Sequence, residues 1–177
     1  MKIVRIILTI VFGWSFTKNL DLILRPESLD RGLFDAANLT WLFFLLMVAT
    51  MACQAIGIVW VWKPFSLGYL FAFGAILLGL TETSIGTAVA MQRPEVAKEL
   101  IVASRESRGL SVNQSVLDLM DNPAVQLAPV ATSLVLGAVW SGLIVLLIWT
   151  NRAKPEPAAQ MYRPPNRLGF GEKHEDL

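Results

Sequence analysis

A single cysteine, Cys53, and a single histidine, His174, occur in 177 residues. One cysteine forms no internal disulfide and no CxxC pair, so dithiol chemistry within the chain is excluded. A metal site needs several clustered ligands, and His174 has no cysteine or histidine companion. Charged residues make up only 16% of the chain, against about 25% in soluble domains. The net charge is +1, which leaves no global field to draw in nucleic acid or an acidic surface. No phosphate-cradling glycine loop, zinc spacing or nucleophile elbow occurs. No cofactor or metal is therefore expected, and an enzymatic role ranks last.

Apolar residues are abundant, at 54%, and they fall in runs of spanning length separated by charge clusters. That pattern belongs to a membrane protein. The expected fold is all-α: an integral membrane four-helix bundle with spans near 3–24, 39–62, 65–91 and 127–149. Residues 1–150 form the four-span domain. The tail, 151–177, is rich in proline and charge and is expected to be disordered.

The first span opens like a signal peptide, with Lys2 and Arg5 before a short apolar run. No small-x-small cleavage site follows, so an uncleaved helix running on through Lys18 and Asp21 to Leu24 is expected. Lys18 and Asp21 are three residues apart, at pairing distance on one helical face. Residues 25–38 read as a polar loop, with Pro26 stopping the helix and Gly32 in mid-loop. In the second span Trp41 marks one interface and Trp60 and Trp62 the other. Lys63-Pro64 forms a tight connection to the third span.

The long loop, 92–126, is expected to hold two amphipathic helices lying on the bilayer or capping the bundle. Pro94 starts the first and Gly109 ends it. The second covers 113–120, with Pro123 beyond it. Pro129 then fits the first turn of the fourth span.

Four spans put both termini on one side. Lys2, Arg5, Lys63, Arg152 and Lys154 all sit close to span ends on that side. The basic-residue rule then makes it cytoplasmic, and a bacterial inner membrane is the expected location.

Small residues recur every four positions in spans three and four. Ala75 and Gly79, with Gly86 on a parallel row, answer Ser133, Gly137 and Ser141. Such ridges let helices approach closely in lipid.

One stretch, 78–89, carries a carboxylate, four hydroxyls and two glycines inside an apolar run. An ionisable group at a helix centre costs about 2.5–3.5 kcal/mol by insertion scales. At 1.5 Å rise per residue, Lys18 lies about 18 Å beyond Ile6, and Glu82 about 22 Å beyond Leu67. Asp21 lies at about the same depth, roughly 22 Å beyond Ile6. Glu82, Lys18, Asp21, Thr81, Thr83 and Ser84 are thus a candidate intramembrane polar cluster. The cluster has two readings. In one it holds a proton, an ion or a polar ligand. In the other Lys18 snorkels outward, Asp21 is interfacial, and Glu82 bonds to a neighbour as interhelix glue.

Arg5, Gly13 and Lys18 on the first helix of a four-span chain resemble the opening of the DoxX-like membrane proteins. The likeness covers one helix, and no function follows from it.

Two functions stay open. The first is a non-enzymatic accessory or assembly component that packs against another membrane protein. The second is a small proton- or ion-coupled transporter using Glu82. The expected partners are the bilayer, another membrane protein or a second copy of the chain, and no nucleic acid.

Overall fold

The computed structural model describes residues 2–25, 28–111, 118 and 122–152. Six helices and no strand occur among the described residues. They are α1 (Lys2–Leu24), α2 (Leu29–Ala36), α3 (Thr40–Trp62), α4 (Gly68–Gln92), α5 (Pro94–Glu106) and α6 (Pro123–Arg152). Four of them, α1, α3, α4 and α6, are long and apolar enough to cross a membrane, which suggests a multi-pass membrane protein. The tail beyond 152 lies outside the described residues, and so does the expected helix at 113–120, apart from Asp118.

The long helices alternate in direction and form a ring in which α3 packs on α1 and α4, and α4 on α6. At the end carrying both chain termini the ring is closed. There Leu8 and Phe12 of α1 meet Trp60 of α3, Ala72 of α4, and Ile144 and Leu147 of α6. Arg5 Nη2 donates to Asn151 Oδ1 at 3.2 Å, tying the start of α1 to the end of α6. Trp62 Nε1 donates to Thr9 Oγ1 at 2.8 Å.

The opposite end is capped by α2 and α5. The sequence predicts a polar loop over 25–38; the structure forms a helix, α2, over most of it. Leu33 and Phe34 of that helix are buried, and Phe34 packs on Phe43 with ring centroids 5.5 Å apart. Tertiary burial thus overrides the weak local preference of an eight-residue segment containing Gly32. A Cβ at Gly32 would stand 2.6 Å from Leu100 Cδ2 of α5, so glycine permits the close approach of the two capping helices. Asn38 adopts φ 58°, a left-handed conformation that asparagine tolerates, and so turns α2 into α3. Arg93, between α4 and α5, donates to the carbonyl of Ala36 and holds the cap down.

Two boundaries differ from expectation. Helix α4 starts at Gly68 instead of 65, because Leu67 sits at φ 67°, outside the right-handed helical region. Helix α6 starts at Pro123 instead of 127, capped by Asn122, whose Oδ1 accepts from Ala124 N at 2.9 Å. Pro123 therefore opens this helix instead of ending the one before it, and Pro129 lies inside α6, past the first turn. Trp60 does not mark an interface: only 3% of it is exposed, whereas Trp41 is 66% exposed. Pro94 begins α5 as expected, and Gly109, at φ 70°, stands just past its end.

Candidate functional site

The two helices that close the ring at the terminal end, α1 and α6, part toward the cap. A cavity of about 1020 Å³ lies between them. Its back wall is α4, and its roof is α2 with Ala97 and Ile101 of α5. Ile10, Trp14 and Lys18 of α1 and Leu136 of α6 line it and are also exposed, so it opens sideways between these helices.

Three charged residues line this cavity among the described residues: Lys18, Asp30 and Glu82. Lys18 comes from α1 and Glu82 from α4, as similar depth along the two helices predicts. Asp30 comes from α2 and is absent from the sequence-based cluster, because its segment reads as a loop. The signal for it is the i, i+4 spacing of Leu29 and Leu33, which places Asp30 on a short helix held against the bundle. Asp30 and Lys18 are the charged neighbours of Glu82. Glu82 makes no hydrogen bond or ion pair among the described residues. Thr83 and Thr87 also face the cavity, and Thr83 Oγ1 donates to Gly79 O at 2.9 Å.

The remaining cluster residues point elsewhere. Asp21 pairs with Arg25 at 2.7 Å, with both side chains more than half exposed. Arg25 is four residues on and takes the carboxylate, while Lys18 faces the cavity. Thr81 and Ser84 are exposed and donate back to their own helix, to Leu77 O at 2.9 Å and Leu80 O at 2.7 Å.

Of the small-residue ridges, Gly137 sits where α6 meets α4; a Cβ there would stand 3.1 Å from Ile76 Cγ2. Ala75, Gly79 and Ser133 border the cavity. Gly86 borders it as well, with Leu33 of α2 as its nearest side chain. Ser141 is half-buried on α6, outside the cavity lining.

Beneath the charged groups lies a chain of amides. Gln54 of α3 is 3% exposed and Asn19 of α1 is 8% exposed. Asn19 Nδ2 donates to Gln54 Oε1 at 3.4 Å, and Gln54 Nε2 donates to Ser15 Oγ at 2.7 Å. All three residues line the cavity. Asn19 does not figure in the sequence-based cluster. Its signal is an amide inside an apolar helix, one residue from Lys18.

Burial raises the Asp30 carboxyl above its ordinary range, and the Lys18 ammonium partly opposes the shift. The folded chain then binds more protons than the unfolded chain in the window between the two values. Stability falls as pH rises through that window, and ionised Asp30 is a cost above it. Asp30→Asn is therefore expected to raise the melting temperature at neutral pH. The gain should vanish at about pH 3 and below, where the carboxyl is protonated in both states. Thermal unfolding in detergent at the two pH values checks this, and a variant less stable than the parent at neutral pH contradicts it. Lys18 and Glu82 are the titratable groups facing Asp30 across the cavity.

No protein-family model, curated protein or solved structure matches the chain.

Proposed function

We propose that this chain is a non-enzymatic multi-pass protein of a bacterial inner membrane, with both termini cytoplasmic, that moves a solute coupled to a proton or ion through the cavity around Glu82. The observation that carries this reading is the cavity itself. It holds a carboxylate that makes no hydrogen bond or ion pair among the described residues, on a long apolar helix. Ionisable groups kept at such depth are costly and usually serve pathways or relays. A carboxylate used only as interhelix glue would be bonded to its neighbour.

The placement in a membrane rests on outward-facing apolar side chains along all four long helices, among them Ile10, Leu45, Leu77 and Val139. Lys2, Arg5 and Lys63 support the orientation.

The test is reconstitution. Proteoliposomes under an imposed pH gradient should show protein-dependent proton flux. Glu82→Gln should abolish that flux, because an amide neither takes up nor releases the proton. The variant should still insert at the parental level. Unchanged flux in a well-inserted variant removes the reading.

A second reading, an accessory component that packs against another membrane protein, has its own support. Helix α6 turns Ala131, Ala138 and Gly142 outward, and nothing lies within 4 Å of where a Cβ on Gly142 would stand. Small residues on an outer face suit a close helix partner in lipid. Native mass spectrometry of a gentle extract separates the two. A stoichiometric foreign subunit favours the accessory role, and a homo-oligomer favours the transporter.

A further inference from the structure

We propose that the ligand of this cavity is a hydrophobic monovalent organic cation, an amine or quaternary ammonium with apolar substituents, which enters from the lipid between α1 and α6 and sets its charge against Glu82. The proposal deepens the transporter reading and rests on it for the cavity being a ligand site.

Four features of the cavity point to this class. The first is charge. Two carboxylates, Asp30 and Glu82, face one ammonium, Lys18, among the described lining residues. Pairing Lys18 with either carboxylate leaves one negative charge for a guest. An anion would meet that surplus unfavourably.

The second is an unspent polar atom. Asn19 is more than nine-tenths buried, lines the cavity and uses one atom of its amide on Gln54. Its Oδ1 accepts no hydrogen bond among the described residues. That oxygen offers an acceptor to the N–H of a protonated amine, the member of the class that carries a donor.

The third is the apolar and aromatic wall. Trp14 and Trp140 line the cavity with Ile10, Phe12 and Ile76. Indole faces attract organic cations, and quaternary ammonium recognition is their common use. A small metal ion is a poor fit, because calcium takes six to eight oxygens and magnesium a near-octahedral set. Among the described residues no group of three or more His, Cys, Asp or Glu side chains could hold one.

The fourth is access and size. Trp14 is 74% exposed while lining the cavity, so the opening faces the surface that α1 and α6 turn to lipid. A volume of about 1020 Å³ matches the upper end of small-molecule sites. An amphiphilic cation concentrates in the bilayer and reaches such an opening without crossing water.

The experiment uses the purified full-length chain in mild detergent and a matched pair of probes. Tetraphenylphosphonium is a hydrophobic cation, and tetraphenylborate is an anion of nearly the same shape. Isothermal titration is expected to show saturable binding of the cation at a single site. Glu82→Gln should weaken it by about tenfold or more, as loss of a charged partner does. The anion should fail to compete. Leu136→Trp, which narrows the opening with Glu82 intact, should slow binding of the cation.

Cation binding that ignores Glu82→Gln in a variant with parental melting behaviour overturns the proposal. So does competition by the anion at equal strength. Proton-coupled flux of another solute, without cation binding, overturns this ligand class and leaves the transporter reading standing. Cation binding through Glu82 with no coupled proton movement supports the ligand class and removes the transporter reading.

Discussion

Phe43→Ala is expected to destabilise the folded chain by about 3 kcal/mol, the lower end of the range for buried phenylalanine. That is roughly 150-fold in the folding equilibrium. Lipid tails are as apolar as the lost ring, so transfer contributes little and packing carries the loss. Phe43 is 0% exposed. Its ring centroid lies 5.5 Å from that of Phe34, tilted by 56°, and 5.5 Å from that of Phe44, nearly edge-on at 73°. Leu46 and Met47 complete the cluster. Removing the ring opens a hole under α2, and an eight-residue helix does not hold itself in place. Asp30 would then leave the cavity roof, so the change should also disturb the site from a distance. Trp41→Ala is the control. It truncates a large aromatic two residues away on the same helix, but one that is 66% exposed, and it should cost under about 0.5 kcal/mol. Unfolding in detergent that fails to separate the two variants would mean that Phe43 does not anchor the cap.

The second large effect is expected at the amide chain. Gln54→Leu should cost about 2 kcal/mol, since it strands Asn19 and Ser15 in an apolar setting. That is roughly 30-fold in the folding equilibrium. Interhelical polar pairs in bilayers average lower, about 0.6 kcal/mol, but here two partners are lost together. Leucine at both Gln54 and Asn19 should recover most of the loss, because an apolar pair needs no partner and Ser15 can turn to its own helix carbonyl. If the double variant is no better than Gln54→Leu alone, the amides are not coupled across α1 and α3. A double variant close to the parent means that the amide pair contributes little net folding energy, and a role at the cavity floor becomes its main reason to exist.

The two largest effects differ in how visible they are before folding. Gln54 stands out as an amide in an otherwise apolar span. Phe43 is one apolar residue among many, and nothing in Thr40–Trp62 marks which face turns inward. In a span surrounded by lipid, both faces are apolar, so periodicity carries little information about burial. The same blindness explains Trp60. Tryptophan near a span end suggests an interface, but Trp60 packs into the closed end of the bundle beside Gly68.

The candidate site divides along the same line. Depth along each helix follows from a constant rise, so Lys18 and Glu82 could be set at one level from residue number alone. Rotation about each helix axis does not follow from it. Thr81, Thr83 and Ser84 are neighbours in sequence, yet only Thr83 turns to the cavity. Asp21 shares the level of Lys18 and turns away to Arg25. Asp30 entered the site because α2 folds back over the bundle, which depends on Phe34 and Leu33 finding partners in α3, α4 and α5.

The chain by itself determined four apolar segments of spanning length, their alternating direction and an ionisable residue in the third. Those follow from composition and from the cost of placing charge or unpaired backbone in lipid. Tertiary structure alone decided that α1 and α6 meet at one end and separate at the other, that α2 and α5 roof the gap, and that Lys18, Asp30, Glu82 and Asn19 share one cavity. Helix rotation, tilt and the docking of short segments are set by side-chain packing between elements far apart in sequence. No local pattern of residues encodes that fit.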